Sequence, residues 1–287
     1  MRLATVIFQN IEQAAVIVGQ DAFLVRDINR VEGMAFETSI IKLIQTYQLD
    51  KLRAWYMNDG KERLSTYPKM KEGDFTYTSL YREPKKILGV GMNYLEKARE
   101  LSSIPPEKEP VSFLKPDSCL IGQDEPILLP PYSNHVTAEG ELGIIIGRTC
   151  RNLLEHEVPN VIAGFTATLD MTAKDLHARN PRFLQISKMF DTFFSFGPQI
   201  LTLDEVEKIS ELTVQTILNG EVFHSNEVEN MMYHPWSIVS FFSNIMKLSP
   251  GDIIMTGTPG SVPITKGDVV ECRISGFPVL RNPVQMD

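Results

Sequence analysis

Three carboxylates, Glu139, Glu141 and Asp170, are the residues whose types and spacing point most directly to chemistry. The two glutamates lie in His135-Val-Thr-Ala-Glu-Gly-Glu-Leu-Gly-Ile-Ile-Ile-Gly147, an apolar, β-branched run that reads as a strand ending at a glycine. Side chains alternate along a strand, so Glu139 and Glu141 project together while Leu142, Ile144 and Ile146 turn to the other face. Two like charges side by side are unfavourable unless something positive lies between them. A hard divalent cation answers that, with Asp170 as a third ligand. An all-oxygen site with few protein ligands suits Mg²⁺ or Mn²⁺, which keep water positions that a substrate can take over. The alternative is an exposed strand face on which both glutamates meet water and hold nothing. Spacing alone leaves the two open.

Other polar segments offer partners for such a site. Asn93-Tyr-Leu-Glu-Lys97-Ala-Arg-Glu100 reads as a short helix with Asn93 as its N-cap and Lys97 and Glu100 one turn apart, as a catalytic pair or a solvated salt bridge. The Pro-rich stretch 101–110 after it is either a lid or an exposed loop. Leu169-Asp170-Met-Thr-Ala-Lys174-Asp175-Leu-His177 reads as a strand ending at Asp170, placed as both cap and metal ligand, and then a helix. His177 is a structural histidine or a proton-transfer group. Lys188, flanked by apolar residues, suits a buried charge aimed at an anion. Met255-Thr-Gly257-Thr258-Pro-Gly260 puts a hydroxyl and backbone N–H groups in a tight turn, which can cradle a carboxylate or simply close a hairpin.

The elements that must position these residues are mostly short strands. Residues 1–80 read as a small unit: strand-like runs at Leu3–Phe8, Ala14–Val18 and Ala22–Val25, then an amphipathic helix around Phe36–Tyr47. From Lys85 onward, short apolar runs alternate with Gly and Pro, among them Val111–Leu114, Ile127–Leu129, Val161–Leu169, Leu212–Leu218, Asp252–Met255 and Val269–Ile274. Asn219-Gly220 marks a hairpin, and Pro235–Lys247 is the clearest helix. Many strands and no βαβ rhythm predict a mainly β, α+β architecture, not a Rossmann fold. No Walker loop, dinucleotide glycine fingerprint or Gly-x-Ser-x-Gly elbow occurs. A net charge of −8 over 287 residues argues against nucleic acid as a partner, and no apolar run reaches the roughly 18 residues of a membrane span. The three cysteines, Cys119, Cys150 and Cys272, match no disulfide or zinc pattern, which points to a reducing, cytoplasmic setting.

In this order, the segments Gly91-Met-Asn-Tyr94, Phe113-Leu-Lys115-Pro116, Glu139-Gly-Glu-Leu142, Asp170–Asp175, Lys188-Met-Phe-Asp191, Asn219-Gly-Glu221, Gly251-Asp-Ile-Ile254 and Thr256-Gly-Thr-Pro259 resemble the fumarylacetoacetate hydrolase superfamily. The resemblance covers residues 84–287. It implies a mixed β-roll catalytic domain behind the N-terminal α/β unit, a homodimer, and Mg²⁺ or Mn²⁺ on Glu139, Glu141 and Asp170. The implied activity is cleavage of a C–C bond in an acylpyruvate-type 2-oxo acid. Alternatives are an oxaloacetate-type decarboxylase, a 2-hydroxymuconate-type isomerase, or a relative that binds keto acids without turnover. The implied catalytic residues are Lys97, Glu100, His177 and Lys188, with Asn93, Lys115, Lys174, Gly257 and Thr258 binding substrate. Many hydrolytic members carry Asn-Tyr-x-x-His-x-x-Glu, and this chain has Lys97 at the histidine position. Lys174 and His177 stand where Arg and Gln are common. A lysine is a poor base near pH 7 unless burial lowers its pKa, so His177 is expected to supply proton transfer.

Overall fold

The structure is a computed structural model that describes residues 1–94 and 109–287. Its larger sheet has twelve strands. The main path runs Asp21–Leu24, Ile11–Val18, Arg2–Phe8, Phe194–Leu201, Ile162–Ala173, Val136–Ile146, Ile253–Met255, Ile87–Gly91, Val111–Lys115. A second, five-stranded sheet is ordered Glu221–Glu227, Thr213–Leu218, Val269–Ile274, Leu280–Met286, Ile127–Leu129.

The glutamate strand Val136–Ile146 and the aspartate strand Ile162–Ala173 lie in the middle of the large sheet, and every residue in both is buried. Burial on two faces explains why both read as near-continuous apolar runs. On one face Leu142, Ile144 and Ile146 pack with Val214, Val270 and Ile274 of the second sheet. On the other, Ile145 joins Phe194, Phe196 and Ile253 in a layer shared with Leu3, Phe23, Leu43 and Leu52. Residues 1–80 hold a small cluster of their own around Val6, Ile17, Leu24 and Phe75. They are also stitched to the large sheet through Arg2↔Leu201 and Leu3↔Ile200.

Several elements differ from the sequence reading. The helix expected at Phe36–Tyr47 spans only Ile40–Gln45, and Tyr47 takes a left-handed conformation (φ 58°) before a second helix, Gln48–Trp55. The strand Phe194–Leu201 was not anticipated because its central Gly197-Pro198 reads as a turn. Leu280–Met286 was hidden in the same way by Pro283. The aspartate strand does not end at Asp170 but continues to Ala173. Asp170 is therefore an interior strand residue and caps nothing; the helix Lys174–Arg179 begins only afterwards.

Candidate metal centre

Register brings the three carboxylates together. Asp170 pairs directly opposite Glu139 across the two central strands, and Glu141 follows two residues along the same face. Each residue offers one oxygen, and these oxygens all lie within 4.8 Å of one another. All three side chains are buried, Asp170 completely.

Two lysines face this charge. The Lys188 ammonium lies 3.1 Å from Glu139 Oε2, contacts Asp170 Oδ2, and sits 4.4 Å from the centre of the Phe113 ring. Burial works against the charge on Lys188, but Asp170 and then Glu139 outweigh it and hold its pKa above the ordinary value. Lys115 donates to the carbonyls of Met171 (3.1 Å), Lys188 (2.7 Å) and Phe193 (2.8 Å). Its three N–H groups are thereby committed. Its nitrogen is 2.8 Å from Asp170 Oδ1, a Coulombic contact without an aligned hydrogen bond, so that buried oxygen retains acceptor capacity. Burial pushes the pKa of Lys115 down, Asp170 opposes this, and Lys188 adds to it.

Glu141 is fixed from the far side, where Gly257 N–H donates to its Oε2 at 2.6 Å. Gly257 has φ +97°, and a Cβ there would sit 2.7 Å from Asn93 Cβ, so the turn requires glycine. Burial first, then Asp170 and Glu139, push the Glu141 pKa well above the carboxylate range. Three carboxylates facing two ammonium groups, with one buried oxygen still able to accept, form a donor set that fits a hard divalent cation.

The cluster opens onto a cavity of about 710 Å³. Among the described residues, Glu139, Glu141, Lys188, Thr258, Lys174 and His177 are among its polar lining, and Val90, Val111, Phe113 and Leu184 among its apolar lining. Burial, then Lys174 and Lys188, hold the His177 pKa below its usual value, with Glu139 opposing. Thr258 donates to the Gly260 carbonyl at 2.9 Å.

Three residues expected to bind substrate, Lys115, Asn93 and Gly257, are not among those that line the cavity. Lys115 is a brace beneath Asp170, its ammonium occupied by carbonyls brought in from three segments. Asn93 is fully buried, its amide donating to the carbonyls of Tyr233 and Thr256, both at 2.8 Å, and accepting from Tyr233 N–H at 2.8 Å. It tethers the Gly257 turn instead. Gly257 itself serves Glu141. Lys97, Glu100 and residues 101–108 of the lid expected at 101–110 lie outside the described residues.

Comparison with known proteins agrees with this architecture. The fumarylacetoacetate (FAA) hydrolase C-terminal family matches residues 86–285, and the chain belongs to that superfamily. An uncharacterized protein of Archaeoglobus fulgidus is 42% identical over 200 residues, covering 69% of this chain and 78% of that protein. The mitochondrial oxaloacetate tautomerase FAHD2A of Bos taurus is 32% identical over 253 residues, covering 82% of this chain and 80% of the relative. The crystal structure of maleylpyruvate hydrolase from Sphingobium sp. SYK-6 with manganese(II) and pyruvate superposes with a TM-score of 0.81 at 26% identity, covering 100% of this chain and 99% of that one. Among the described residues, no helix is long and apolar enough to cross a membrane.

Proposed function

We propose that this chain is a divalent-cation-dependent enzyme that interconverts the keto and enol forms of a small 2-oxo dicarboxylic acid of the oxaloacetate type. The observation that carries the reading is the buried Glu139–Glu141–Asp170 cluster, opening with Lys188 onto a cavity that Lys174 and His177 also line. Glu139, Glu141 and Asp170 would hold Mg²⁺ or Mn²⁺. When bound, the cation supplies Lewis acidity that stabilises negative charge on a keto oxygen as it becomes an enolate.

The chain's own residues account for the rest. Lys188 keeps its proton and provides a fixed positive charge for an anionic substrate. His177, kept neutral near pH 7, can accept a proton from the carbon beside the keto group and return one. The apolar wall limits water around the reacting carbon. The similarity to an oxaloacetate tautomerase over most of both chains supports this substrate class. Lys97, at the position of the dyad histidine in hydrolytic relatives, weighs against activation of a water molecule.

The second reading is hydrolysis of an acylpyruvate, favoured by the similarity to maleylpyruvate hydrolase. A side-by-side assay of the Mn²⁺-loaded protein separates the two. Keto–enol exchange of oxaloacetate much faster than cleavage of fumarylpyruvate or acetylpyruvate is expected. Efficient cleavage with no acceleration of exchange would replace the first reading with the second.

A further inference from the structure

The strand face that carries the carboxylates continues outward from them as a ladder of paired residues. Glu141 faces Thr168, Glu139 faces Asp170, and Thr137 faces Thr172. Successive rungs are two residues, or about 7 Å, apart. Beyond them Lys174 N–H donates to the His135 carbonyl at 2.8 Å, which sets these two residues at the outer end, where His135 is exposed.

The hydroxyls along this face are not treated alike. Thr168 donates to the Glu141 carbonyl at 3.2 Å. Thr137 and Thr172 are 2% and 4% exposed, yet neither hydroxyl has a partner among the described residues. A buried hydroxyl without a hydrogen bond is costly, and valine would occupy the same space without that cost. Thr172 lines the cavity beside Glu139 and Lys174. The hydroxyl oxygen is closed off in this rotamer, and a turn about χ1 would present it to the cavity that the residue lines, one rung out from the carboxylate cluster.

We infer that Thr172, backed by Thr137, is a substrate-binding residue whose hydroxyl donates to the second carboxylate of a four-carbon dicarboxylic 2-oxo acid. This rests on the reading of the site as a 2-oxo-acid enzyme. With the 2-oxo end at the carboxylate cluster, the rung spacing matches the reach of a four-carbon diacid, whose far carboxylate meets Thr172. Lys174 lines the same stretch of wall and supplies positive charge there. A monocarboxylic acid such as pyruvate is too short to reach this rung.

The test titrates pyruvate and malate, a stable four-carbon diacid, into the Mn²⁺-loaded full-length protein and its variants. Thr172→Val is expected to lose about tenfold or more in malate affinity. Its affinities for pyruvate and Mn²⁺ should remain unchanged, and the Tm of the metal-free protein should be no lower than wild type. Thr172→Ser should recover malate binding. Unchanged malate affinity in Thr172→Val would overturn the assignment, as would a parallel loss of malate, pyruvate and Mn²⁺ affinity. A wild-type protein that binds neither acid would overturn the 2-oxo-acid reading itself, and this inference with it.

Discussion

At the scale of single residues, His177 shows how burial and neighbouring lysines set a protonation state. Its pKa is held below the ordinary value of about 6.5, so at a pH between the two values the unfolded chain binds more protons than the folded one. The resulting stabilisation is complete above the unfolded pKa and is lost as pH falls through the folded one. Denaturation midpoints measured from pH 8 to pH 5 should therefore fall less steeply for His177→Asn than for the wild type, and NMR titration should show the depressed pKa directly. A His177 pKa above 6.5 in the substrate-free protein would contradict this placement. Much at this scale was legible in the sequence. Strand alternation alone pairs Glu139 with Glu141, because that periodicity is local. The position of Asp170 opposite Glu139 depends on register between strands, which spacing does not encode. The bracing role of Lys115 was illegible for the same reason: its carbonyl partners come from positions 171, 188 and 193. Thr172 gave no signal, since one threonine in an apolar strand looks like any other.

At the scale of elements, the central question is how the strands of residues 1–80 hold the sheet that carries the site. Phe196 lies in the layer where Leu3, Leu43 and Leu52 meet Ile145 and Ile253, and its ring is 5.1 Å from that of Tyr81 and 5.5 Å from that of Phe194. Phe196→Ala should cost about 3–5 kcal/mol, the range for removing a large aromatic side chain from a packed core. Because the layer is shared, urea unfolding followed by tryptophan fluorescence and by far-UV circular dichroism should shift as one transition. Two separated transitions, only one of them moved by the substitution, would show that residues 1–80 fold independently. Short apolar runs bounded by Gly and Pro were readable, and Ile127–Leu129 and Val269–Ile274 form where the sequence puts them. Phe194–Leu201 and Leu280–Met286 were not, because proline inside a strand mimics a turn when pairing is unknown.

At the scale of the whole molecule, the two central strands of the large sheet carry a site with buried carboxylates and lysines around them, and its cavity is lined by residues between positions 90 and 258. Folding places three carboxylates in a buried space where their mutual repulsion favours either protonation or a bound cation, and the raised pKa of Glu141 expresses that tension. The proposed activity depends on these carboxylates holding the cation required for keto–enol exchange of a 2-oxo acid. The most direct measurement follows exchange of oxaloacetate by the wild-type protein and by Glu141→Gln, each stripped with chelator and then titrated with Mn²⁺. The wild type should lose activity on stripping and regain it with saturable dependence on Mn²⁺. Glu141→Gln should remain folded, lose at least about 100-fold in rate, and bind Mn²⁺ far more weakly. Full exchange activity in the stripped wild type, or normal Mn²⁺-dependent activity in Glu141→Gln, would contradict the account.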